Sequence, residues 1–162
     1  MERLLTYAGQ AGLPRWLDIL GRHLTYRWQI VCMNEAGHSI APTRGSFGIL
    51  NGYRSLLLFS KGPFRPYQPL KDTLITQGSE KGLHEWQQPV GEARYFVERL
   101  CRPGGLVCDP FCGSRTVAHA VLLAGGGRQY IGCDLSRGAV QMARSRVAQA
   151  LQDRSMTVPA VG

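Results

Sequence analysis

Residues 107–116 read Val107-Cys108-Asp109-Pro110-Phe111-Cys112-Gly113-Ser114-Arg115-Thr116, and this stretch decides the fold. A short apolar run, Leu106–Asp109, ends in an acid, crosses a turn holding Pro, Gly and Ser, and opens into the helical pattern Thr116–Ala124. Such a strand–turn–helix places free backbone N–H groups and a tight turn at the carboxyl edge of a sheet, where open α/β folds bind cofactors. Gly125-Gly126-Gly127 ends the helix and supplies a left-handed cap. Gln129–Cys133 reads as the next strand and ends at Asp134. Asp134 lies 25 residues beyond Asp109, close to the separation of roughly 20 at which a carboxylate on the next strand accepts both ribose hydroxyls. Ser136 suits the N-cap of a long helix from Arg137 to about Leu151, and a helix at Glu92–Cys101, closed by Pro103-Gly104-Gly105, precedes the first strand. From Pro89 onward the chain is therefore a β-α-β-α unit of α/β class with a parallel sheet.

Working outward, the N-terminal half has a different texture. Leu13–Leu24 carries apolar residues at helical spacing with Pro14 in the first turn. Tyr26–Met33 and Tyr53–Lys61 are rich in β-branched, aromatic and aliphatic residues and read as strands, joined by a Gly/Pro/Ser/Thr loop too irregular for a helix. Two strands so connected pair antiparallel. Gly62–Gly82, with Pro63, Pro66 and Pro69, reads as irregular: a linker, or a loop facing a substrate.

The 162 residues suffice for one domain and one core, so residues 1–162 are expected to form a single domain with a tail at 152–162. With 44% hydrophobic and 19% charged residues the composition is globular, which excludes a disordered chain. Net charge is +8, carried by 16 Arg and 3 Lys. The planar guanidinium pairs with phosphate bidentately, so the excess invites a nucleic-acid partner, although a merely basic surface fits equally well. The cysteines Cys32, Cys101, Cys108, Cys112 and Cys133 are odd in number, form no Cys-x-x-Cys and mostly sit in apolar runs. Buried reduced thiols of a cytoplasmic protein are expected, with no metal site. No signal peptide or membrane span is expected.

The string Asp109-Pro110-Phe111-Cys112-Gly113-Ser114-Arg115-Thr116 resembles the Asp-Pro-Phe-x-Gly-Ser-Gly-Thr motif of the N6-adenine and N4-cytosine DNA methyltransferases whose motif order is permuted. His84-Glu85-Trp86-Gln87-Gln88-Pro89-Val90 looks like the family's preceding cofactor motif. Arg128-Gln129-Tyr130-Ile131-Gly132-Cys133-Asp134 is similar to its Arg-x-Phe-Ile-Gly-x-Glu/Asp strand, and the hairpin with Leu57, Phe59 and Lys61 to its late hairpin. The resemblance is sharp over residues 81–147 and looser over 13–80. It implies a partial Rossmann-like fold binding S-adenosylmethionine, with Asp109, Phe111, Gly113, Ser114, Thr116, Asp134 and Trp86 at the cofactor. It also implies DNA as the partner, with Lys61, Arg65, Lys71 and Lys81 on phosphates. Each position has a plainer use: Asp109 and Thr116 as turn and helix-start residues, Asp134 as a strand end, Trp86 as core, and 62–82 as a solvated loop.

The sequence departs from the family at two levels. Arg115 stands where the motif has Gly, and Gln88 where Lys is common, so a side chain enters a turn that normally has none. More seriously, the Asp/Asn/Ser-Pro-Pro-Tyr/Phe/Trp tetrapeptide that holds a flipped base is missing; the chain contains no Pro-Pro pair. No catalytic residue can therefore be named. In the family's strand order 3-2-1-4-5-7-6, the chain is expected to hold strands 1, 2, 6 and 7 and to lack 3, 4 and 5. The first twelve residues or a second polypeptide would have to fill the centre. Two readings stand: the cofactor-binding portion of a truncated or split methyltransferase, inactive alone, or a non-enzymatic basic module that binds DNA or protein.

Overall fold

The computed structural model describes residues 2–34, 48–76, 90–113, 116–138, 140–141 and 145. The chain divides into two compact units, Met1–Gly78 and Ser79–Gly162.

The first unit is built on β3 (Tyr53–Lys61), in which Ser55 to Ser60 are all buried. A strand covered on both faces needs this unbroken apolar run rather than alternation. β1 (Glu2–Ala8) and β2 (Thr25–Asn34) flank it antiparallel, giving the order β1-β3-β2-β4. Helix α1 (Leu13–Gly21) links β1 to β2, with Pro14 in its first turn, where a missing N–H costs nothing. Its Leu13 and Leu20, with Leu24 just beyond, pack on Ala8, Leu57 and Phe59 together with Leu4. The two buried serines of β3 are satisfied. Gln29 Nε2 donates to Ser55 Oγ at 2.7 Å. A bulge in β2 between Tyr26 and Trp28 leaves Arg27 as the extra residue, and its Nε donates to Ser60 Oγ at 2.9 Å.

Two expectations about this half are corrected. The stretch Gly62–Gly82 is not wholly irregular, because Thr73–Thr76 forms β4, parallel to β2 from Val31↔Thr73 to Asn34↔Thr76. Four residues are too few to display a period, and the strand exists because the edge of β2 is open to it. Asp72 secures the entry: its carbonyl accepts from Val31 N at 2.7 Å and its carboxylate from Trp28 Nε1 at 3.3 Å. Secondly, residues 2–8 are a strand, β1. In the order 3-2-1-4-5-7-6, strand 5 lies beside strand 7 on the side away from 6, and β1 holds that place beside β3. Of the two central strands expected to be missing, one thus has an equivalent here. Its alternation was hard to see in Arg3-Leu4-Leu5-Thr6-Tyr7, where apolar residues fall on both faces.

In the second unit β5 (Leu106–Asp109) and β6 (Gln129–Gly132) pair parallel, Leu106↔Gln129 through Asp109↔Gly132. Helices α2 (Val90–Leu100) and α3 (Thr116–Ala124) cover one face. Val97, Ala120 and Val121 form its core, joined by Val107 and Tyr130 from the strands. The opposite face carries Leu106, Cys108 and Ile131, all exposed. This corrects the expectation of uniformly buried cysteines: all five are free thiols, Cys32 and Cys112 are buried and Cys101 half-buried, but Cys108 and Cys133 are exposed. At the amino ends of the strands the two glycine turns are stitched together. Gly104, at φ 72°, donates to Gly126 O at 2.9 Å, and Gln129 N to Gly105 O at 2.9 Å. Arg128 spans both helix ends, with Nε on Cys101 O at 2.9 Å and Nη1 on Ala124 O and Gly125 O at 3.0 Å. A guanidinium there satisfies terminal carbonyls and opposes the helix dipoles. Of the helix expected over 137–151, Arg137, Gly138, Val140, Gln141 and Ser145 are described, all helical. Among the described residues no helix is long and apolar enough to cross a membrane.

Candidate functional site

The carboxyl ends of β5 and β6 converge on one turn. Cys133 N donates to Asp109 O at 3.0 Å and Cys112 N to Cys133 O at 2.9 Å, so the turn 110–113 folds back against the end of β6. Asp109 Oδ1 accepts from Phe111 N at 3.2 Å. Asp134 Oδ2 accepts from Gly113 N at 2.9 Å and its Oδ1 from Ser136 N at 2.9 Å. Gly113 sits at φ 41°, a left-handed conformation that glycine adopts without penalty. The N–H groups of Phe111, Cys112 and Gly113 are therefore all engaged within the protein, so the free donors expected in this turn are not found among its described residues, 110–113. What the turn offers instead is two carboxylates, one on either side.

Their environments differ. Burial lifts the Asp109 carboxyl above its ordinary range, opposed by the Phe111 N–H and by the Tyr130 hydroxyl. Asp134 is held below its ordinary range by the N–H groups of Ser136 and then Gly113. Burial raises the Cys112 thiol, and the charges of Asp109 and Asp134 raise it further, so it is a protonated, unreactive thiol. Tyr130 is also raised, first by burial and then by Asp109, and keeps its proton to donate.

The structure brings together Asp109, Gly113 and Asp134 as the sequence suggested, and Thr116 opens α3 directly after the turn. Phe111 is 83% exposed and stands out from the turn rather than packing in it. Ser114, Trp86 and Lys81 lie outside the described residues, as do Arg115, His84 and Gln88. In the first unit Lys61, Arg65 and Lys71 are all exposed; Lys61 lies 3.9 Å from Glu2, and the Arg65 carbonyl accepts from Arg3 Nη2 at 2.7 Å. Sequence reasoning passed over Tyr130, whose hydroxyl lies 3.4 Å from Asp109 Oδ2. The signal was present: a Tyr where the resembled strand has Phe, two residues before a Gly.

Similar structures identify the fold. The fold matches the crystal structure of the M1.HpyAVI–SAM complex at a TM-score of 0.71 with 18% identity, over 89% of this chain and 73% of that one. It matches the cytosine-N4-specific PvuII DNA methyltransferase at 0.64 with 18% identity, over 83% of this chain and 54% of that one. The two units thus carry a partial fold of the Rossmann-like methyltransferases. The sequence fixes the family more closely: the profile of the N6/N4 DNA methylases matches residues 21–145, and the chain belongs to that family. The YubD protein of Escherichia coli (strain K12) is 30% identical over 125 residues, which is 75% of this chain and 54% of YubD. The chain spans about half the length of this curated relative.

Proposed function

We propose that the chain is the S-adenosylmethionine-binding portion of a DNA amino-methyltransferase acting on N6 of adenine or N4 of cytosine, and that it is inactive without a catalytic portion. One observation supports the reading: a turn in which the N–H groups of Phe111, Cys112 and Gly113 are internally satisfied, bracketed by Asp109 and Asp134. A phosphate would need free N–H groups and would be repelled by the two carboxylates, which disfavours a dinucleotide. A ligand with a ribose diol and a cationic end fits, and S-adenosylmethionine carries both. When bound it supplies the methyl group on its sulfonium.

In this reading Asp134, at the end of β6, accepts the ribose hydroxyls while its N–H contacts keep it ionised. Asp109 faces the cationic end, and Gly113, Ser114 and Thr116 line the approach with Phe111 and Trp86 against the adenine. Lys61, Arg65, Lys71 and Lys81 lie on DNA phosphates, and residues 1–162 act as one methyltransferase domain. The base-holding tetrapeptide comes from a further segment or from a second polypeptide that also provides the remaining central strand. The alternative, a basic module that binds DNA or protein without catalysis, is favoured by the absence of any Pro-Pro pair in the chain.

The test is methyl transfer from methyl-labelled S-adenosylmethionine to DNA. The chain alone should retain label without passing it on, and transfer should appear when the unmatched part of a relative such as YubD is co-expressed with it. Transfer by the chain alone would overturn the claim of inactivity. A chain that retains no label would overturn the cofactor reading and leave the binding module.

A further inference from the structure

Tyr130 stands opposite Val107 in the β5–β6 ladder, two residues short of the pair Asp109↔Gly132. To reach Asp109 its ring must lean along β6 toward the carboxyl end, over position 132. It does so: a Cβ built on Gly132 would overlap the Tyr130 hydroxyl, Cζ and Cε1 atoms. Gly132 is thus not a turn glycine but the space in which the tyrosine ring lies. The hydroxyl arrives 3.4 Å from Asp109 Oδ2, while Oδ1 is taken by Phe111 N at 3.2 Å. Diagonal neighbours in a parallel pair are far apart for small side chains, and a long aromatic one spans the gap.

We propose that Tyr130 is a positioning residue of the cofactor turn, whose hydroxyl fixes the direction in which the Asp109 carboxylate faces the cationic end of the ligand. This rests on the cofactor reading above and deepens it. With one oxygen held by the backbone at 3.2 Å and the other met by the hydroxyl at 3.4 Å, rotation of the carboxylate is restrained, so less ordering remains to be done on binding. Among the described residues the groups facing Asp109 are few. Tyr130 comes from β6, Asp134 follows β6, and Cys112 is in the turn. From α3 the only titratable side chain is His119, which is exposed, and on α2 Glu92 is buried. Of these only the tyrosine donates a side-chain hydrogen bond to Asp109, and that bond favours the ionised form.

Tyr130→Phe keeps the ring and removes the bond. Carboxyl-carbon NMR of the ligand-free chain should show the Asp109 titration midpoint moving to higher pH in Tyr130→Phe, with Asp134 unmoved. In calorimetric titrations with S-adenosylmethionine across pH, the acid limb of binding should move up by the same interval. An unmoved Asp109 midpoint, or an affinity that falls equally at every pH, would overturn the role of Tyr130. The cofactor reading fails separately, and takes this proposal with it, if the wild-type chain or its Asp109→Asn variant shows that the ligand does not sense this carboxylate.

Discussion

At the scale of single residues, the candidate site holds two aspartates in different environments. Asp134 sits at a strand end with two backbone donors and stays charged. Asp109 is partly withdrawn from water, and its ionised form is disfavoured by that burial. The consequence for stability has a definite sign. A carboxyl whose folded pKa is raised binds its proton more tightly in the folded chain, so its contribution is fully present below the unfolded value and is lost as pH rises through the folded one. Asp109 is therefore a cost at neutral pH. Asp109→Asn should be more stable than the wild type near pH 7 in urea unfolding, with the gap closing as the wild-type carboxyl is protonated. A variant that is less stable at every pH would show that the charge is structurally needed. Residue by residue, Asp109, Gly113 and Asp134 were legible because their spacing follows from strand and turn geometry. The engagement of the turn's N–H groups was not, since two of its three acceptors, the Cys133 carbonyl and the Asp134 carboxylate, arrive from the end of another strand.

At the scale of elements, helices and long strands were legible almost to their ends. α3 and β3 fall where their patterns predicted, Thr116–Ala124 and Tyr53–Lys61, because glycines or a charge bound an uninterrupted apolar run. β1 and β4 escaped notice for a shared reason. Each is a strand made by the edge it joins, and neither Arg3-Leu4-Leu5-Thr6-Tyr7 nor Thr73-Leu74-Ile75-Thr76 signals a face by itself. Arg128, noticed only as part of a motif, turns out to hold α2 and α3 at their carboxyl ends with three hydrogen bonds. Hydrogen bonds from charged donors contribute about 1.5–3 kcal/mol each in favourable cases, and such losses are not additive. Arg128→Met should therefore lower unfolding stability by about 2 kcal/mol or more with an unchanged urea slope, and Arg128→Lys should recover part of it. An unaltered midpoint would mean that water replaces the guanidinium at both helix ends.

At the scale of the whole molecule, the chain is a pair of units, each with its own sheet: β1-β3-β2-β4 in the first and β5-β6 in the second. The first unit carries a central strand buried on both faces, and the second carries the turn with its two carboxylates. The exposed face of β5 and β6, with Leu106 at 54% and Ile131 at 57% exposure, has no covering helix among the described residues. An apolar face of this kind, beside a parallel edge, is what a bare two-stranded parallel sheet presents. Family and fold class were readable from residues 107–116 together with the flanking stretches 84–90 and 128–134, because a strand–turn–helix constrains backbone and side chain together. Loop chemistry toward DNA was not, because exposed Lys61, Arg65 and Lys71 look the same in sequence whether they meet phosphate or water. The central claim, that Asp109 and Asp134 bracket a site for S-adenosylmethionine, is tested most directly by calorimetric titration of the folded chain and its Asp134→Ala variant. Saturable binding by the wild type is expected, with a loss of at least about tenfold in the variant, roughly 1.4 kcal/mol. No binding by a folded chain, or equal binding by the variant, would contradict it.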